Sequence, residues 1–130
     1  MDLVKHIRDV PDFPKPGIIF KDITPLLAEP KAMAETTDAL VEPFRGQGIR
    51  YVAGIEARGF IFGSLAAERL EAGFIPIRKP GKLPAETLSA TYELEYGQNT
   101  IEVHRDGAAA GDRVLMIDDL LATGGTMKAA

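Results

Sequence analysis

The chain of 130 residues contains no cysteine, which rules out disulfides and gives no sign of an oxidising compartment; a cytoplasmic protein fits. It has no long apolar run either. Arg, Gly or Glu interrupts every hydrophobic stretch well short of the ~18 residues a spanning helix needs, so no membrane partner is expected. The amino end, MDLVKHIRDV, is charged throughout and has no apolar core of the kind a signal peptide carries. Nor is there an excess of positive charge. With 15 basic and 19 acidic residues the formal charge is −4, which argues against broad nucleic-acid binding. Two nucleotide signatures are also missing: no GxxxxGK[ST] occurs, and no GxGxxG follows a strand pattern, so neither a Walker site nor a dinucleotide fold is expected.

What is present is an ordinary globular balance, 45% hydrophobic and 26% charged, in a length that suits one domain spanning residues 1–130. The most informative stretch is VLMIDDLLATGGT, residues 114–126. Its first four residues are apolar without alternation, as in a parallel strand covered on both faces. Asp118 and Asp119 then fall at the carboxyl end of that strand, where ligands collect in open α/β sheets; paired carboxylates can accept hydrogen bonds from vicinal sugar hydroxyls. Gly124 and Gly125 allow a tight turn and close backbone approach, Thr123 and Thr126 add hydroxyls, and free amides opening the next helix would suit a phosphate. A plain strand-to-helix connection with capping residues would share some of these features; their joint occurrence points to a sugar-phosphate site.

Elsewhere the patterning alternates between strand and helix. Leu3, Val4, Ile7 and Val10 have helical spacing, and Pro11, Pro14, Pro16 and Gly17 then break the chain into an extended arm leading to the apolar residues 18–20. A helix is expected from Pro30 along Met33, Thr37, Leu40, Val41 and Phe44, stopping by Gly46 or Gly48. Residues 51–55 read as a strand, 60–70 as a helix ended by Gly73, and 74–77 as a second strand, which makes a βαβ unit. Residues 87–103 nearly alternate about Gly97, Gln98 and Asn99, which predicts a two-stranded excursion with a mobile tip there. Residues 106–112 read as a surface turn.

If the strands ending at Ile55, Ile77 and Ile117 are parallel, the segments after them leave the same sheet edge and share one cleft. The first brings Glu56, Ala57, Arg58 and Gly59, the second Arg78, Lys79 and Lys82, and the third the acidic pair and its glycine turn. Basic groups facing a phosphate cradle imply a sugar with anions at both ends.

With those residues in view, VLMIDDLLATGGT resembles the phosphoribosyl pyrophosphate motif of the type I phosphoribosyltransferases. The blocks PDFPKPGIIFKDITPLL, EARGFIFG, IRKPGKLP and YELEYG, in that order, are similar to the adenine-specific members of the family. The resemblance implies an α/β fold with a central, mostly parallel sheet flanked by helices, a mobile β-hairpin loop and a small N-terminal hood. It implies transfer of phosphoribose from phosphoribosyl pyrophosphate to adenine, giving AMP and pyrophosphate in purine salvage, with Mg²⁺ carried mainly by substrate and no direct metal ligand. By the same resemblance, Ala122, Thr123, Gly124, Gly125 and Thr126 hold the 5′-phosphate, Asp118 and Asp119 meet the ribose hydroxyls, and Arg58 faces the pyrophosphate. The Glu56–Ala57 bond falls where the family often has a cis peptide. Arg78, Lys79 and Lys82 approach the pyrophosphate near a homodimer boundary. Ile19, Phe20 and Lys21 build part of the base pocket, Glu95 handles the purine proton, and Tyr96 closes the site. His6 and His104 are expected on a helix surface and a strand surface, without a catalytic part. The chain ends sooner than family members do, in the opening turn of the helix after the phosphate loop. Two alternatives stay open at this point: a non-catalytic module sensing phosphoribosyl pyrophosphate, and a transferase for another base.

Overall fold

A computed structural model describes residues 2–94, 97–119 and 125–130. The chain divides into two packed units, residues 1–43 and 44–130.

In the first unit, a single 3-10 turn spans Leu3–His6, capped by the Asp2 carboxylate accepting from the Val4 amide. The helical spacing through Val10 is not realised. Val10 instead belongs to strand β1 (Arg8–Pro11), which pairs antiparallel with β2 (Ile19–Asp22) in a register that sets Val10 opposite Phe20. Cross-strand pairing thus wins over a weak local helical pattern. The proline-rich arm between them folds back, and Phe13 meets Phe20 edge to face at 5.3 Å. Asp22 accepts from the Thr24 amide and hydroxyl, which holds its carboxyl below the usual range and starts a short helix, α1 (Thr24–Ala28). Helix α2 (Pro30–Val41) begins as expected, with proline in its first turn; Ala32, Thr37 and Val41 are its buried side.

The second unit is built on three parallel strands in the order β4-β3-β7: β3 (Tyr51–Ile55) in the centre, β4 (Gly73–Ile77) and β7 (Val114–Ile117) on either side. Helix α3 (Gly59–Arg69) connects β3 to β4 and buries Gly59, Phe62, Gly63, Ala66 and Ala67, one stripe at helical spacing. The hairpin β5 (Thr87–Leu94) and β6 (Gly97–His104) packs Ile101, with Ala90, Tyr92 and Val103 beside it, against Ala53, Ile55, Ile75 and Ile77. The strands are therefore covered on both faces, which is why their sequences are apolar without alternation. Helix α4 (Gly125–Ala129) follows.

Two turns differ from the sequence reading. Helix α3 is closed by Glu71, not Gly73: Glu71 takes φ +54°, and Ala72 and Glu71 donate to the carbonyls of Ala67 and Glu68 in a Schellman pattern. Gly73 already lies in β4, where a Cβ would come within 2.9 Å of the Tyr51 ring, so close packing explains that glycine. In the hairpin, Gly97, Gln98 and Asn99 pair with Leu94, Glu93 and Tyr92; they are strand residues rather than the tip.

Candidate active site

The parallel register β4-β3-β7 brings the ends of three strands to one edge. Arg58, just after β3, reaches Asp119, just after β7: its Nε lies 2.9 Å from Asp119 Oδ2, the arginine 45% exposed and the aspartate 10%. Asp118 turns back on the backbone, accepting the Asp119 amide at 2.8 Å. Burial, with Asp119 alongside, pushes the Asp118 carboxyl above its ordinary value, against the opposing pull of the Asp119 amide and the Arg58 charge.

Gly59 makes this junction close. A Cβ there would stand 3.0 Å from the Ile117 carbonyl and 3.2 Å from Asp118 Oδ1, so a side chain at this position would push the carboxylate or the first turn of α3 aside by a few tenths of an ångström.

On the other side of β3, Glu56 binds the segment after β4. It accepts the Lys79 amide at 2.7 Å, and Arg78 approaches with Nη2 at 3.4 Å and Nε at 3.3 Å, the latter outside hydrogen-bonding geometry. The Lys79 amide is the main cause of a Glu56 carboxyl held below its ordinary value, with Arg78 adding to it and burial opposing. The Glu56–Ala57 peptide is cis, and Ala57 is exposed. Lys79 and Lys82 are exposed on the same short segment. What the structure brings together is therefore Glu56, Ala57 and Arg58 with Asp118 and Asp119 on one hand, and with Arg78 and Lys79 on the other.

The remaining sequence-derived residues fall elsewhere. Gly125 opens α4 and Thr126 follows it there, while Ala122, Thr123 and Gly124, like Glu95 and Tyr96, lie outside the described residues. Ile19, Phe20 and Lys21 belong to β2 in the first unit, where Ile19 is 61% exposed, Phe20 partly buried, and Lys21 ion-paired with Asp9 at 2.6 Å. His104 ends β6 and accepts the Ala85 amide at 3.3 Å. Glu102, in the same strand, went unremarked in the sequence because a charged residue alternating with Ile101 and Val103 reads as solvated surface. No local signal marks it: its partner Gly81 is 21 residues away.

Among the described residues no group of three or more His, Cys, Asp and Glu side chains could hold a metal ion, and no helix is long and apolar enough to cross a membrane. A cleft of about 370 Å³ on the hairpin side is lined mostly by apolar residues, among them Ile75, Leu88, Ile101 and Met116, with Ser89 and Glu102. Its lining includes neither Arg58 nor the aspartates, so the convergence of charged groups, not the cleft, marks the site.

Residues 22–130 match the family profile described as "Phosphoribosyl transferase domain". The chain is 59% identical, over 99% of its length, to the adenine phosphoribosyltransferase of Rhodopirellula baltica, of which it covers 63%. It is 60% identical, over its whole length, to that of Halothermothrix orenii, of which it covers 76%. Among solved structures, adenine phosphoribosyltransferase from Saccharomyces cerevisiae, complexed with an imino-altritol bisphosphate and adenine, superposes with a TM-score of 0.93 at 41% identity. That match covers 98% of this chain and 75% of the yeast chain. The chain thus spans between about two thirds and three quarters of the length of these relatives.

Proposed function

The chain belongs to the phosphoribosyltransferase family, within it to the adenine phosphoribosyltransferases, and from that premise we propose that it transfers the 5-phosphoribosyl group from phosphoribosyl pyrophosphate to adenine, giving AMP and pyrophosphate. The observation that carries this reading is the shared edge of three parallel strands, with Arg58 set 2.9 Å from Asp119.

In this reaction the bond from C1′ to the pyrophosphate oxygen breaks, the bond from C1′ to adenine N9 forms, and the N9 proton departs. Positive charge grows at C1′ and negative charge on the leaving group, so fixed charges on either side of the sugar do most of the work. Asp118 and Asp119 accept from the ribose hydroxyls. Arg58, Lys79 and Lys82 face the pyrophosphate, with Arg78 held beside Glu56. Residues 122–126 hold the 5′-phosphate. Ile19, Phe20 and Lys21 contribute to the base pocket, Glu95 takes the purine proton for a gain of roughly 10²–10⁴ in rate, and Tyr96 covers the site. The local donor set, two adjacent aspartates with an arginine already on one of them, suits a Mg²⁺ that arrives on the diphosphate and keeps its waters better than an ion caged by protein. When bound, that ion neutralises charge on the leaving group. In the same reading the protein acts in purine salvage in the cytoplasm, as a homodimer, without nucleic-acid or membrane partners.

A steady-state assay with adenine, hypoxanthine and xanthine as competing acceptors tests the proposal. AMP formation with adenine preferred is expected. Binding of phosphoribosyl pyrophosphate by a folded protein that consumes none of the three bases would overturn transfer and leave a sensing role.

A further inference from the structure

We propose that Glu102 is a positioning residue for the basic segment 78–82, fixing the backbone from which Lys79 and Lys82 project; the inference rests on the transferase reading above. Strand β4 ends at Ile77, yet the sheet does not stop there. Arg78 forms an isolated antiparallel bridge with Glu102 of β6, its amide donating to the Glu102 carbonyl at 2.9 Å and the Glu102 amide donating back at 2.7 Å. The hairpin is thereby tied to the site edge at the point where the basic segment begins.

The Glu102 side chain then reaches past that bridge. One carboxylate oxygen accepts the Gly81 amide at 3.0 Å, and the other accepts the Thr87 hydroxyl at 3.2 Å, where the segment rejoins β5. Two residues along the same strand, His104 accepts the Ala85 amide.

Glu56 holds the other end of the short segment through the Lys79 amide. Pro80, between the two anchored amides, has no amide to donate, and Gly81 takes φ +81°, which glycine adopts without strain. Two carboxylates from opposite sides therefore fix two of the three backbone positions 79–81, and the third is stiffened by its ring. Each bond is charge-assisted, the stronger kind of protein hydrogen bond.

The chemical consequence is preorganisation. A polyanion that meets lysines on a segment already held in place does not have to order that segment on binding. Glu102 carries a negative charge near a site for anions, and its two oxygens are committed to an amide and a hydroxyl. Its effect on the ligand thus runs through the backbone it holds rather than through contact.

The test uses Glu102→Ala and Glu102→Gln in the whole chain, with two readouts. The first needs no catalysis: the rate of tryptic cleavage after Lys82, since the bond after Lys79 is protected by Pro80. The second is the KM for phosphoribosyl pyrophosphate beside the KM for adenine. Glu102→Ala is expected to speed cleavage and to raise the first KM about tenfold, with the adenine KM changed less than about twofold. Glu102→Gln, whose amide oxygen can still accept from Gly81, should recover most of both effects. A folded Glu102→Ala protein with unaltered cleavage and unaltered KM overturns the proposal. If that variant does not fold, amide exchange in the unaltered protein decides: Gly81 protected relative to an unstructured chain supports the anchor, and Gly81 exchanging at the unstructured rate overturns it. Should the protein lack transferase activity altogether, the proteolysis and exchange results still judge the anchor separately from the reaction.

Discussion

Glu56 and Asp118 stand at the ends of neighbouring strands on one sheet edge, yet their environments tune them in opposite directions. Glu56 is held below its ordinary value by the Lys79 amide and by Arg78; Asp118 is pushed above its own by burial and by Asp119. A carboxylate saturated by internal donors stabilises the fold and fixes its neighbours. One buried beside another acid opposes the fold while ionised, and gains when a ligand supplies the missing donors. The same residue chemistry on one rim thus divides into a scaffold and, in the proposed reaction, a receptor.

The largest effects are expected at Asp119 and Arg58. Asp119→Asn and Arg58→Ala should each lower kcat by roughly 10²-fold or more while the fold persists, because both remove charge set at the proposed reaction centre. Parent-like kcat for either, in a steady-state assay of AMP formation, would deny the receptor role.

On the scaffold side, Glu56→Ala should cost about 1–3 kcal/mol of stability in chemical denaturation, since it strands the Lys79 amide and Arg78. The pH dependence follows in sign. Because Glu56 is lowered on folding, its stabilising contribution is present above the ordinary glutamate value and is lost as pH falls through the depressed one. Glu56→Gln should therefore flatten the acid side of the Tm profile, and an acid limb as steep as the parent's would contradict the assignment.

Asp118→Asn should act the other way. A raised carboxyl contributes stability below its ordinary value and loses it as pH rises through the raised one, so at neutral pH the substitution should raise Tm by up to about 4 °C while activity falls. A lower Tm at neutral pH would show that the ionised form is well compensated. The smallest effect is a control away from the rim: Glu71→Gly relieves a left-handed backbone and should add about 0.5–1 kcal/mol with kinetics unchanged.

Much of this arrangement was legible in the chain. The apolar run without alternation marks β7 and strand patterns mark β3 and β4 with a helix between them, while the parallel pairing of all three is a condition in the sequence that the structure meets. Convergence of Glu56, Arg58, Lys79 and the aspartates then required only that the three strands run the same way. Other features resisted because they depend on distant partners. The apolar spacing of Leu3, Val4, Ile7 and Val10 suited a helix until pairing of Val10 with Phe20 decided otherwise. Gly73 looked like a helix stop because glycine usually is one; here Glu71 takes that backbone and Gly73 yields to the Tyr51 ring. The alternation about Gly97 points to a tip there, whereas register places that glycine opposite Leu94. The tether of Glu56 to Lys79 spans 23 residues and leaves no trace in local pattern. Glu95, Tyr96, Ala122, Thr123 and Gly124 lie outside the described residues.

The most direct test of the shared edge is NMR mapping of side-chain carboxyl and guanidinium resonances as phosphoribosyl pyrophosphate with Mg²⁺ is added. The largest changes are expected at Asp118, Asp119 and Arg58, with smaller ones at Glu56. Saturable binding that leaves those three unmoved and perturbs another surface would contradict it.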